Sequence, residues 1–199
     1  MIVRDGDRVV LMSGLPAAGK TTTAQRLHAC LGGVLIRQCD VYARLGIDLR
    51  DWVRKTAGFT REVAAYERMR DAAYDVMRDE LRTALTRGAP WVIVDAVHGE
   101  VAKRQAIYEV CRAHGCRPVI VWCRCEEPEE IRRRMAGRVG RPDPEHEASD
   151  VSVYEHVRSL WQPPLDERAP DGSALPVLVY DTVRDAWSGL TAPGSRAVA

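Results

Sequence analysis

An α/β three-layer sandwich is the fold class this chain predicts, and three observations carry the prediction. Five short apolar runs read as strands, stretches of helical spacing separate them, and a glycine-rich turn joins the first strand directly to the first helix. Strands that alternate with helices form a parallel sheet covered on both faces, with right-handed crossovers.

The first run, residues 8–13, is apolar and β-branched, as a fully buried parallel strand requires. From Lys20 the pattern changes to helical spacing: Ala24, Leu27 and Leu31 share one face, and Gly32-Gly33 supplies a stop. Residues 34–36, 91–94, 119–123 and 176–180 complete a five-stranded set. Helices are expected over 20–31, 61–86, 101–113 and 128–136. In the long helix Tyr66, Met69, Ala73, Met77 and Leu81 recur at helical spacing, which makes that stripe core.

Two segments interrupt the alternation. Residues 41–60 carry Trp52 and Phe59 among basic side chains. Residues 137–175 are rich in Arg, Asp, Glu and Pro, with a short helix expected over 151–161, where Val153, Val157, Leu160 and Trp161 share a face. Polar excursions of this length inside a compact domain are functional lids or disorder. Trp91, Trp122 and Trp187 are expected in the core, and Trp52 and Trp161 at the surface. The tail from Thr191 reads as disordered, which leaves residues 1–190 as a single domain.

At 199 residues the chain suffices for one well-buried domain. Its 29 Lys and Arg balance 28 Asp and Glu, so a net charge of +1 gives no global attraction to nucleic acid or to an anionic membrane. The six cysteines match neither a zinc pair nor a redox motif in spacing, and most are expected to be small core residues. Only a short segment precedes the first strand, and no run approaches a membrane span. A cytoplasmic protein with reduced thiols is expected.

Residues 14–21 read G-L-P-A-A-G-K-T, which satisfies G-x-x-x-x-G-K-[ST] in its required strand, loop, helix setting. Glycines let backbone N–H groups approach phosphates, and the helix N-terminus adds its positive dipole end. Gly14, Pro16, Ala17, Ala18, Gly19 and Thr22 are therefore expected to line a nucleotide triphosphate. Lys20 would reach the β and γ phosphates, and Thr21 would ligate Mg²⁺.

Phosphoryl transfer further asks for a carboxylate near the acceptor, one near the metal, and arginines over the phosphates. Asp40, just past the second strand, lies where the ligand crevice of such a sheet opens and could accept an acceptor's proton; a helix N-cap is the alternative. Asp95 ends the third strand, the place of an acid that holds Mg²⁺. His98 follows it near the crevice, placed to orient neighbours or touch substrate. Arg134 and Arg138 project from one side of a continuing helix, with guanidinium forks suited to phosphate. Arg61 opposes the dipole at the start of the long helix, a position suited to a substrate anion or to a neutral surface role.

Residues 14–22, Asp40, Asp95-Ala96, the Arg134-x-x-x-Arg138 pair and Asp181-Thr182 together resemble the small P-loop kinases of the zeta-toxin, polynucleotide 5′-kinase and chloramphenicol phosphotransferase group. The resemblance implies a parallel sheet in 2-3-1-4-5 order, transfer of the γ-phosphoryl of ATP to a hydroxyl, Asp40 as base, and a helical lid over about 134–165 that begins at Arg134. It also implies that Asp181 and Thr182 contribute to the ATP site. Many relatives carry Ser-Asp-x-x-Arg after the second strand, where this chain has Cys39-Asp40 with Arg44 one place late, on an acceptor-side insertion over about 41–60. The expected activity is thus ATP- and Mg²⁺-dependent phosphorylation of a small hydroxylated metabolite or natural product. A 5′-hydroxyl polynucleotide kinase, with a groove built from Arg50, Trp52, Arg54, Lys55, Phe59 and Arg61, and an ATP-dependent switch are the competing readings.

Overall fold

In the computed structural model, which describes residues 6–48, 63–137 and 151–190, the central strand is β1 (Asp7–Ser13). Its apolar side chains alternate between two cores, as a strand covered on both faces requires. Val9 and Leu11 enter one core, Val10 and Met12 the other, and none of the four has any exposed surface. Burying each such side chain stabilises the fold by roughly 1.5–3 kcal/mol.

The predicted elements follow in the expected order, with a helix after the second strand and a last strand added to them. They are α1 (Lys20–Leu31), β2 (Val34–Arg37), α2 (Gln38–Arg44), α3 (Val63–Thr86), β3 (Val92–Asp95), α4 (Val101–Ala113), β4 (Arg117–Arg124), α5 (Pro128–Ala136), α6 (Val151–Ser159), β5 (Val177–Asp181) and β6 (Ala186–Leu190). The sheet order is β2-β3-β1-β4-β5-β6, with every pair parallel except β5 and β6. Helix α1 covers the face that contains Val10, Met12 and Val121, and α3, α4 and α6 cover the other.

Four features depart from the sequence expectations. The sheet has six strands rather than five, because β6 folds back antiparallel on β5. Asp181 starts that reversal: its Oδ1 accepts the N–H groups of Val183 and Arg184, both at 3.0 Å, and Asp185 takes a left-handed φ of 51°. Trp187 is consequently not core but half exposed, stacked on Tyr180 with ring centroids 4.5 Å apart.

The third departure is α2, which begins at once after β2. Its N-cap is Arg37 in an extended conformation, so Asp40 sits inside the first turn and is not a cap. Fourth, the described part of the second excursion is docked rather than open. Val153 and Val157 enter the main core, and Trp161 packs on Trp122 instead of standing at the surface. Glu167 is buried against Arg104 and Tyr108 of α4. Arg61, Arg138, the residues of the proposed basic groove and the tail from Thr191 lie outside the described residues.

Candidate active site

The phosphate loop leaves β1 at Gly14, where a side chain has no room: a Cβ would lie 2.6 Å from the carbonyl oxygen of Cys123. Gly19 caps α1 in a left-handed conformation, φ 89°, with the Thr182 side chain 3.1 Å from where a Cβ would be. Ala17 holds a φ of 62°, strained for a residue with a Cβ. Loop hydrogen bonds maintain this shape: the Ala18 N–H donates to Leu15 and the Gly14 N–H to Val97, both at 3.1 Å. Lys20 Nζ curls back to donate to the Leu15 carbonyl at 2.9 Å. The loop thus leads straight into the N-terminus of α1, whose positive dipole end suits a polyphosphate.

Asp95 closes β3 and is almost wholly buried. Burial pushes its carboxyl up from the usual range, while Lys20, a hydrogen bond from Thr21 and the Arg37 charge pull it down and Asp40 pushes it up. Its Oδ1 has no hydrogen-bond partner among the described residues. An orphaned, buried carboxylate oxygen beside a threonine hydroxyl fits a hard cation such as Mg²⁺, which takes few protein ligands and completes its sphere with water and phosphate oxygens. Among the described residues no cluster of three or more His, Cys, Asp or Glu could hold a metal ion.

Asp40 approaches from β2. Strand pairing sets Arg37 directly beside Asp95, and one helical turn later Asp40 lies 3.6 Å from the Arg37 guanidinium. Lys20, Arg37, Asp40 and Asp95 therefore act on one another's charges at the carboxyl ends of β2, β3 and β1.

On the other side of α1, Arg134 of α5 ties three elements together. Its Nη1 donates to the Ala17 carbonyl at 3.2 Å and to Thr182 Oγ1 at 2.9 Å, and its Nη2 donates to the Thr182 carbonyl at 3.0 Å. Glu130 accepts from Nε at 2.6 Å, and its hydrogen bonds from Arg133 and Arg134 hold its carboxyl down to about 2. Beneath this clamp opens a cavity of about 350 Å³, lined by Gly19, Thr22, Arg26, Arg134, Tyr180 and Thr182 among others. It adjoins the N-terminal turn of α1, so a nucleotide whose phosphates occupy the loop has space there for its nucleoside.

A family model described as an AAA domain matches residues 9–164, most of the chain. The chain belongs to the AAA-domain family. Similar solved structures share its fold. A candidate kinase from Chloroflexus aurantiacus j-10-fl is 20% identical over 92% of each chain, with a TM-score of 0.61. A sugar kinase from Janibacter sp. HTCC2649 is 16% identical over 88% of this chain and 85% of that one, at 0.57. Kti12 from Chaetomium thermophilum, in complex with ADP-AlF3, is 22% identical over 87% and 89%, at 0.56. The fold is that of the small P-loop kinases. No curated protein matches the sequence, and among the described residues no helix is long and apolar enough to cross a membrane.

Some residues expected at the site of this AAA domain are placed elsewhere. Arg44, at the end of α2, pairs with Glu80 in the C-terminal half of α3, which runs back toward the opposite end of the sheet. The Asp181 carboxylate builds the β5–β6 turn, also binding Arg184 at 2.9 Å, while its neighbour Thr182 reaches the cavity. His98 has no exposed surface, so it touches no substrate here. It holds neighbours instead: Nδ1 donates to the Met12 carbonyl at 2.8 Å, its N–H donates to the Tyr74 hydroxyl at 3.1 Å, and its carbonyl accepts from Ser13 Oγ and Arg104. Burial holds its imidazole down to about 3.

The sequence reading missed Arg37, whose signal was a cation three residues before Asp40, one helical turn away. It also missed Arg26 and Tyr180, joined by a hydrogen bond of 3.3 Å at the cavity rim. No local pattern marks those two, because they come from α1 and β5, more than a hundred residues apart.

Proposed function

We propose that this AAA domain is an ATP- and Mg²⁺-dependent kinase that transfers the γ-phosphoryl group to a hydroxyl of a small molecule. The observation that carries this reading is the juxtaposition of Asp40, half exposed, with buried Asp95 and with Lys20 at one crevice. One carboxylate is exposed enough to meet an acceptor and the other is withdrawn to meet a cation, beside a loop shaped for phosphates. Structural similarity to a sugar kinase and a candidate kinase supports it.

The roles follow from position. The loop N–H groups and Lys20 bind the β and γ phosphates, and the cavity under Arg134 takes the nucleoside. Thr21 and Asp95 would hold Mg²⁺, which when bound neutralises phosphate charge. Asp40 orients the acceptor hydroxyl and takes its proton as the new O–P bond forms and the bond from the γ phosphorus to the β–γ bridging oxygen breaks, with ADP leaving.

The test is ATP consumption with Mg²⁺ across nucleosides, sugars, aminoglycoside and nucleoside antibiotics, and 5′-hydroxyl oligonucleotides. Stimulation by a small-molecule class is expected; stimulation by oligonucleotides alone moves the acceptor to a polynucleotide end, and tight ATP binding with no stimulation favours a switch. Asp40→Asn should lower turnover by about 10²-fold or more, with nucleotide affinity within about threefold of wild type. Equal loss of both removes Asp40 from the role of base. Lys20→Ala should lower affinity and turnover together; unchanged turnover removes Lys20 from the mechanism.

A further inference from the structure

Two carboxylates with different tasks share this crevice, and like charges brought together resist independent positions. Arg37 neighbours both of them. Arg37 ends β2, in direct register with Asp95 on β3, and its Nη1 lies 3.6 Å from Asp40 Oδ1. Its side chain is only 18% exposed, against 42% for Asp40, so the cation is anchored in the sheet while the carboxylate projects. The guanidinium remains charged at any working pH. The Cys39 thiol, 3.8 Å from Asp40 Oδ1, is too weak a donor to fix the carboxylate. Asp40 lies in the first turn of a seven-residue helix, an element too short to be rigid by itself.

We propose that Arg37 is a positioning residue for phosphoryl transfer: anchored beside Asp95 at the end of β2, it holds the Asp40 carboxylate at the crevice and apart from the metal-binding acid. The inference rests on the kinase reading above and assigns a residue to it that no part of the phosphate-loop motif contains. Arg37 acts through Asp40, not on the nucleotide. Its removal therefore lets Asp40 swing, and a misplacement of about 1 Å at a reacting group costs on the order of 10²-fold in rate.

The experiment is a double-mutant cycle on the full chain. Turnover with the stimulating acceptor is measured for wild type, Arg37→Ala, Asp40→Asn and the double variant, beside affinity for the non-hydrolysable analogue adenosine 5′-(β,γ-imido)triphosphate and the melting temperature. Arg37→Ala should lower kcat between about tenfold and a hundredfold, with analogue affinity within about threefold. In the Asp40→Asn background the same change should cost less than about threefold, since its target is already gone. Arg37→Lys should recover most of the loss, because a single contact and not a paired fork is at stake.

Losses that multiply in the double variant, or analogue affinity that falls in step with kcat, overturn the assignment; so does an Arg37→Ala variant with wild-type turnover. A wild-type protein that transfers to no acceptor overturns the kinase reading instead. The cycle is then read on acceptor-free ATP hydrolysis, where non-additive losses uphold Arg37 and additive ones reject it.

Discussion

Histidine with no exposed surface stays neutral until protonation can pull it into water, and His98 is held that way down to about pH 3 by its burial. In the unfolded chain it titrates near its ordinary value of 6.5. Below that value the unfolded state binds a proton that the folded state refuses, so stability falls as pH drops from about 6.5 toward 3. At 1.36 kcal/mol per unit the ceiling is about 5 kcal/mol. Urea denaturation from pH 7 to pH 4 should show this decline in wild type and a shallower one in His98→Gln; parallel curves would assign the acid loss to other groups. Since His98 joins Met12, Tyr74 and Ser13 immediately before the phosphate loop, its protonation loosens the base of the site and not its chemistry. A pattern reader sees a histidine three residues past Asp95 and expects a substrate contact. What separates the two roles is burial, which depends on Tyr74 from a distant helix.

At the scale of elements, the stretch after α6 is attached to α4 by a buried ionic network. Arg104 has no exposed surface; its Nε and Nη2 donate to Glu167 Oε1 at 2.9 and 2.5 Å, and Nη1 donates to the carbonyls of His98 and Gln162 at 2.9 Å. Tyr108 donates to the other Glu167 oxygen at 2.8 Å, and burial followed by that carboxylate raises its phenol far above the usual value. Glu167→Ala strands the Arg104 charge and should cost roughly 3–5 kcal/mol, whereas replacing both partners by Leu and Met costs less or nothing. Chemical denaturation of the single and double variants measures this; a single variant within 1 kcal/mol of wild type would show that water reaches Arg104. Arg134 does the corresponding work on the nucleotide side, joining α5 to Ala17 and to the β5–β6 turn. In this structure it also forms part of the cavity wall beside Gly19 and Thr22. The hairpin that completes this wall was hidden in the sequence, since Ala186-Trp187-Ser188-Gly189 lacks the β-branched run by which strands are read.

For the molecule as a whole, the parallel strands, five helices at or near their observed bounds, and the phosphate loop were legible because each is encoded by neighbours in sequence. Apolar period distinguishes strand from helix, and G-x-x-x-x-G-K-T encodes its own turn through glycines that Gly14 and Gly19 require sterically. The places of Asp40 just past β2 and of Asp95 at the end of β3 were legible for a related reason: carboxyl ends of parallel strands line one crevice whatever the loops do. The relation of those acids to each other was not legible. Arg37 stands beside Asp95 through the β2–β3 register, Thr182 meets Arg134 across 48 residues, and Arg44 turns to Glu80 because α3 happens to offer a carboxylate there. The sequence by itself determined the fold class and the kind of ligand, since short-range sterics and periodicity suffice for both. Only the tertiary structure decided which charges face the ligand and which are neutralised or buried, because electrostatic energy depends on distance and solvent exposure, and neither is a property of position along the chain.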